Sequence, residues 1–330
     1  MSLIQRCLSP VGSKKTILVF DGGGVRGRFA LELCCTIARE QPVPLSQLFS
    51  MVVGVSAGAM IATLVACGIL DDVKQNPDAC SAFYKMLPQM FGKPHPAGPL
   101  LMPKYNGKGK KEALYKILGD KRLKDVKTPL VILCCTLDGE PIEFRSWDPA
   151  HGDLLLADLN DASSAAPGFF PPVELREDAW FTDGGVRANK PLISALLATI
   201  DLFDQDACNI HMLSIGTFFA PTQSFLRPQA QLMGLLMWLK ERRLIDALLG
   251  MQDRTSERLM NKMFGKRFLR LECQCDDIRM DDHSEQRQLR LRNAAAMVWQ
   301  QRKQEILEFV IPATSSASSS SSSTIITDVK

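Results

Sequence analysis

Histidine is scarce in this chain: 330 residues hold four, at positions 95, 151, 211 and 283. Any chemistry here has few imidazoles to draw on. Tyrosine and tryptophan number three and four, and the net charge is only +3. No zinc finger, basic zipper or aromatic RNA-binding motif accompanies that small charge, so nucleic acid is not an expected partner. The longest apolar run, at 57–70, is shorter than the roughly 20 residues a membrane-spanning helix needs. Residues 1–15 carry no continuous apolar stretch of the kind a secretory signal requires. Any membrane contact is therefore expected to be peripheral, and the expected location is the cytoplasm. Ten cysteines are present, yet none has C-x-x-C spacing; Cys273-Gln274-Cys275 comes nearest and lacks a second pair. All ten are expected as reduced thiols, with no metal centre and no cofactor.

The chain is long enough for one large α/β domain with an appendage. Its hydrophobic share of 46% and charged share of 23% are ordinary for a globular protein. Apolar runs predict strands over 16–20, 48–55, 129–136 and 210–215, with shorter ones at 141–146 and 180–182. Helical spacing is read over 28–40, 56–70, 79–91, 110–118, 154–164 and 191–200, with Asn189 as the cap of the last. Strands alternating with helices argue for a mostly parallel sheet covered on both faces. From 228 onward the pattern is largely helical, with a mild excess of Lys and Arg. The face of Leu232, Leu235, Leu236, Trp238 and Leu239 reads as a core or capping surface in preference to a membrane face or an acyl groove. Arg287, Arg290 and Arg292 read as a solvated face in preference to a site for anionic lipid. Residues 315–323 are nearly pure serine and cannot build a core. The expected division is an extension at 1–15, a core domain at 16–225, a helical region at 226–312 and a disordered tail at 313–330.

Three short blocks each follow a predicted strand, where sites form in parallel sheets. They are Asp21-Gly22-Gly23-Gly24-Val25-Arg26-Gly27, Gly54-Val55-Ser56-Ala57-Gly58 and Asp183-Gly184-Gly185. The middle one sits between a strand and a small-residue helix, the context in which a serine becomes an exposed nucleophile on strained backbone. The first also fits the Gly-x-Gly-x-x-Gly dinucleotide fingerprint. However, Gly23 and Arg26 are not demanded by a nucleotide, and Glu40 ends a helix instead of following a second strand. The other use of the same geometry is an oxyanion hole, in which glycine amides point at one spot. A serine nucleophile needs a base. His211 and His283 follow the chain order of an α/β-hydrolase but not its setting. Asp183, with two glycines giving it room, is the better candidate. Asp21 reads as a scaffold residue bonding loop amides, and Arg26 as a brace for the loop.

With these blocks, the chain resembles the patatin-like phospholipase family of Ser–Asp dyad lipid acyl hydrolases. The family's Asp-Gly-Gly-Gly-x-Arg-Gly motif matches 21–27, its nucleophile motif 54–58, and its Asp-Gly-Gly/Ala motif 183–185. Softer blocks agree: 164–172 (Ser-Ala-Ala-Pro-Gly-Phe-Phe-Pro-Pro), 104–108 with Asn106 where the family has Asp, and Ser214-Ile215-Gly216-Thr217. The likeness covers about 16–217. It implies an α/β three-layer sandwich and a carboxylic ester hydrolase of phospholipase A type. It further implies Ser56 as nucleophile, Asp183 as proton acceptor, and Gly22, Gly23, Gly24 and Val25 around the oxyanion. Asp21, Arg26, Gly27, Gly54, Gly58, Gly184 and Gly185 would be supporting motif residues. The implied partner is membrane or micellar lipid. A His-based esterase and a non-catalytic lipid-binding scaffold are the rival readings.

Overall fold

A computed structural model describes residues 14–76, 79–96, 101–203, 209–217, 243–273 and 278–311. Strands β1 (Lys15–Phe20), β2 (Met51–Val55), β3 (Leu130–Thr136), β4 (Pro141–Arg145), β5 (Val173–Arg176), β6 (Ala179–Asp183), β7 (Ile210–Ile215) and β8 (Phe268–Leu271) form one sheet. Its order is β5-β6-β3-β2-β1-β7-β8, with β4 also on β3. β3, β2, β1, β7 and β8 are mutually parallel; β4, β5 and β6 join antiparallel. The helices are α1 (Arg28–Glu40), α2 (Leu45–Leu48), α3 (Ala57–Ala66), α4 (Ala79–Lys85), α5 (Leu87–Phe91), α6 (Lys108–Leu118), α7 (Leu156–Ser163), α8 (Gly185–Ala188), α9 (Leu192–Phe203), α10 (Arg243–Phe264) and α11 (Glu285–Val310).

The middles of β1, β2 and β3 are continuous runs without a polar side chain because each face meets a different layer. Leu18, Phe20, Val52, Ile132 and Cys134 pack into a core shared with α1, α3, α7 and α11. Their neighbours Ile17, Val19, Val53, Val131 and Leu133 face the opposite core, with Leu192, Met260 and Phe264. Side chains alternate across a strand, so two buried faces require an unbroken apolar run. The result is the three-layer α/β sandwich expected from the strand and helix pattern.

Four details depart from expectation. β8 is a strand in a region read as helical, and it extends the parallel sheet beyond β7. The stretch read as one helix over 79–91 is two, broken at Met86. Asn189 ends α8 instead of capping α9. Finally, the expectation of ten reduced thiols is corrected: Cys35 and Cys80 form a disulfide, with Cα atoms 6.7 Å apart. The two lie 45 residues apart, and only the packing of α4 on α1 brings them together. Cys34, Cys67, Cys134 and Cys135 are free thiols. The apolar face at 232–239, most of the extension at 1–15 and the tail at 313–330 lie outside the described residues, as does Cys275. Among the described residues, no helix is long and apolar enough to cross a membrane, and no cluster of His, Cys, Asp or Glu could hold a metal.

Candidate active site

β3 acts as a ruler that brings two distant motifs together. β4 pairs with β3 across Val131–Cys135, so it occupies one edge. The other edge carries β2, whose last residue Val55 lies opposite Leu133. The next position on that edge, Cys134, is already paired with Asp183 of β6. β2 runs parallel to β3 and β6 antiparallel, so their carboxyl ends meet head to head. Ser56 follows β2 directly and lands beside Asp183, and its Oγ donates to Asp183 Oδ2 at 2.7 Å.

Ser56 has φ 56° and ψ −126°, a left-handed conformation that costs a non-glycine residue energy. It is held there from several sides. Its amide donates to Ser163 Oγ at 2.9 Å, and that hydroxyl donates to Leu133 O at 2.6 Å. Its carbonyl takes the first amides of α3. A Cβ at Gly58 would sit 2.5 Å from Asp21 O, and one at Gly54 would strike Gly58 O, so this turn tolerates only glycine there. Asp183 is fixed in the same way. Its amide donates to Ala165 O at 3.1 Å, and its Oδ1 accepts the Gly185 amide at 2.7 Å. Gly184 lies so close to Leu133 O that a side chain would not fit.

Burial raises the Asp183 pKa to about 6, although the Ser56 and Gly185 hydrogen bonds and the Lys110 charge pull it down. A carboxylate near neutrality is a competent general base. Lys110 was not singled out from sequence. It is buried on α6, ion-paired to Asp161 at 3.0 Å, bonded to Ser164 Oγ at 3.1 Å, and set 4.3 Å from the Phe170 ring centre. Burial depresses its pKa, against the pull of Asp161 and Asp183. One of three lysines within 108–111, in the first turn of a polar-looking helix, gave no signal; only the cavity it faces does so.

The glycine loop crosses above β1. The Gly22 amide donates to Asn189 O at 3.0 Å and the Val25 amide to Met280 O at 2.9 Å. These two of the four expected donors are thus engaged elsewhere, and of the four it is Gly23 and Gly24 whose amides have no acceptor among the described residues. Gly24 has φ 59° and borders the same cavity as Ser56. Arg26 Nε donates to Gly23 O at 3.1 Å, so it does brace the loop. Thr217 Oγ1 donates to Gly22 O at 2.7 Å. Asp21 is corrected: its carboxylate bonds no loop amide but the Arg270 guanidinium, with Nη1 to Oδ1 at 3.0 Å. Arg270 lies opposite Ser214 in the sheet and passes Gly216, where a Cβ would meet its Nη2 at 2.5 Å.

A cavity opens from Ser56 and Asp183. Its walls are mostly apolar, with Met60, Ile61, Phe83, Leu87, Met90 and Phe170 among them. No described histidine lines it. His211 pairs with Thr16 near the start of β7, at the far end of the sheet, and packs on Phe309. His151 Nδ1 lies 3.3 Å from Asp148 Oδ2, and His283 stacks on Phe91. The His95 amide donates to Lys104 O.

A serine held against a buried carboxylate at crossing strand ends, beneath a glycine loop, defines the class. A family model described as Patatin-like phospholipase matches residues 18–196, more than half of the chain, which belongs to that family. The chain is 30% identical over 221 residues to Patatin-like protein 1 of Arabidopsis thaliana, covering 57% of this chain and 52% of that one. It is 27% identical over 223 residues to the cGAMP-activated phospholipase of Escherichia coli (strain TW11681), covering 61% of each. Against the 85/88 kDa calcium-independent phospholipase A2 of Rattus norvegicus the figure is 28% over 216 residues, or 58% of this chain and 24% of that protein. The chain thus spans about half the length of the Arabidopsis relative.

Proposed function

We propose that the protein is a lipid acyl hydrolase that cleaves fatty acyl esters of phospholipids or related glycerolipids through a Ser56–Asp183 dyad. The observation that carries this reading is the 2.7 Å hydrogen bond between Ser56 Oγ and Asp183 Oδ2 at the mouth of an apolar cavity. Asp183 takes the Ser56 proton as Oγ attacks the ester carbonyl. The charge that develops on the carbonyl oxygen falls to the free amides of Gly23 and Gly24. Asp183 then gives the proton to the leaving alkoxide, and an acyl-enzyme remains. Water enters, loses a proton to Asp183 and attacks the acyl carbon; the bond to Ser56 Oγ breaks, Oγ takes the proton back from Asp183, and the fatty acid leaves. One carboxylate both orients the serine and moves its proton, so no imidazole is required.

Membership of the patatin-like phospholipase family supports the lipid substrate, as do the phospholipases among its relatives. The cavity suits one acyl chain, because its walls are hydrocarbon and its polar groups cluster at the serine. The lipid would be met at a membrane or micelle surface by peripheral contact. Fatty acid release from mixed phospholipid vesicles in EDTA tests the proposal, comparing wild type with folded Ser56→Ala and Asp183→Asn. Release by wild type alone supports the dyad. Release that survives in Asp183→Asn would return the base to a histidine. Vesicle binding without release in any of the three would favour a scaffold.

A further inference from the structure

The glycine loop is gripped by residues from beyond the segment that the family model matches. From beneath, Arg270 of β8 holds Asp21, the residue that opens the loop. That pair is nearly sealed from solvent, with side chains 9% and 3% exposed. Arg270 also donates to Ser214 Oγ at 2.6 Å and to Glu272. From above, residues 278–283 cross the rim of the cavity. The Met280 carbonyl takes the Val25 amide and lies directly against Gly24, where any side chain would strike it. Met280 also joins the cavity wall.

The next residue locks this crossing. Asp281 has a side chain only 2% exposed, and its carboxylate meets Lys104 Nζ, Tyr105 OH at 3.0 Å and Arg279 Nη2 at 3.2 Å. Burial pushes its pKa up, but these bonds and charges outweigh burial and leave it below the ordinary carboxylate value. Lys104 and Tyr105 are themselves tied to the cavity lip, through amides donated to Gly168 O at 3.0 Å and Phe169 O at 2.8 Å. His283 closes the far end by stacking on Phe91, with ring centres 5.6 Å apart and planes within 1°. A buried carboxylate supplied with three donors is costly to assemble and is stable only with all of them in place. Here its product is one well-placed carbonyl at the glycine loop.

We propose that the 278–283 strap, locked by Asp281 against Lys104 and Tyr105, is a positioning element that fixes the glycine loop with the Gly23 and Gly24 amides turned free for the reaction. The proposal rests on the reading of that loop as the oxyanion site. Asp281 touches no reacting atom; it acts through Met280 O and Val25 N. Loosening the strap therefore impairs the transition state more than substrate binding, which falls to the apolar cavity.

The test uses the full chain with Asp281→Asn, Lys104→Gln and Lys104→Arg. Three quantities are read: hydrogen exchange of peptides covering 22–31, kcat and KM on p-nitrophenyl butyrate, and a thermal melt to establish folding. Asp281→Asn is expected to speed exchange at the loop by about tenfold or more. It should lower kcat by roughly 10- to 100-fold with KM within about twofold, less than outright loss of an oxyanion donor. Lys104→Gln should follow in the same direction with a smaller effect, and Lys104→Arg should recover most of kcat. Exchange unchanged in folded Asp281→Asn would overturn the strap whatever the activity. Faster exchange with kcat unchanged would show that the loop needs no brace, and a raised kcat would make the strap an inhibitor; either overturns the proposal. A wild type without esterase activity would instead sink the functional reading, while the exchange arm still decides whether the strap holds the loop.

Discussion

Two regions meet at the glycine loop and touch it in different ways. Residues 18–196 supply the groups that the proposed mechanism uses: Ser56, Asp183 and the amides of Gly23 and Gly24. Residues 243–311 supply a guanidinium, a carbonyl and a methionine wall. Each motif of the first region sits at or just after a strand end, and the sheet joins Ser56 to Asp183 across 127 residues. The second works across sequence separations as long as 249 residues. Reactive geometry is thus stored in short motifs, and its rigidity is imported from afar. Substitutions in the two regions should accordingly leave different signatures in rate and in stability.

The largest effect belongs to the first region. Ser56→Ala should lower kcat by about 10⁴-fold or more with the fold retained, because alanine keeps the same strained φ of 56° and loses only the hydroxyl. Asp183→Asn should cost a similar factor, roughly 10⁴. Its stability signature is sharper. Folding raises the Asp183 pKa from the ordinary 3.8 to about 6. Such a group favours the fold fully below pH 3.8 and loses that contribution as pH rises through about 6. The wild type is therefore penalised at pH 8 by its own base. Asp183→Asn should melt higher than wild type at pH 8, by up to about 3 kcal/mol of stability, with the difference vanishing towards pH 4. A variant equally stable or less stable at pH 8 would break the contrast between the regions.

An intermediate effect is expected at the junction. Gly24→Ala must place a Cβ against Met280 O at a positive φ. Its kcat should fall roughly 10²- to 10³-fold through a displaced oxyanion donor, with KM little changed. In the second region, Arg270→Gln leaves Asp21 buried without its partner. Denaturant unfolding should show a loss of about 3–5 kcal/mol, and adding Asp21→Asn should recover part of it. If Arg270→Gln kept full stability and lost only rate, the second region would be catalytic in its own right.

What the sequence made legible follows the same divide. The motif glycines could be read where the reason is local, as at Gly54, which faces Gly58 O within one turn. The parallel sheet was readable because two buried faces demand unbroken apolar strands. Arg270 was not readable. Its environment is set by Ser214, Gly216 and Asp21, three residues whose juxtaposition exists only in the folded sheet. Cys35 and Cys80 failed for the same reason, since spacing rules see neighbours and these two become neighbours through helix packing. Asn189 was read as a cap on local grounds, yet its carbonyl serves the Gly22 amide. β8 is only four residues long, too short for its alternation to stand out between a helix and a polar segment.

The smallest expected effect is a shift in pH, and it places Lys110 on one side of the divide. Lys110 belongs to the first region by sequence, but it bonds Asp161 and Ser164 instead of the serine. Its charge nevertheless reaches Asp183 and holds that carboxyl below where burial alone would put it. Removing the charge should therefore raise the Asp183 pKa. The wild-type kcat/KM should climb with pH through an apparent pKa of about 6, because only the carboxylate can take the serine proton. Lys110→Met is best made together with Asp161→Asn, so that no lone charge is left buried. In that double variant the acid limb should move upward by up to about one pH unit, with the plateau reduced only modestly. Lys110→Arg alone should keep the limb near its wild-type position. A limb that stays at pH 6 in the double variant would show that Lys110 acts on packing alone, and would move it among the supports. A limb that shifts with KM unchanged would make it part of the reactive group, although it touches neither serine nor base.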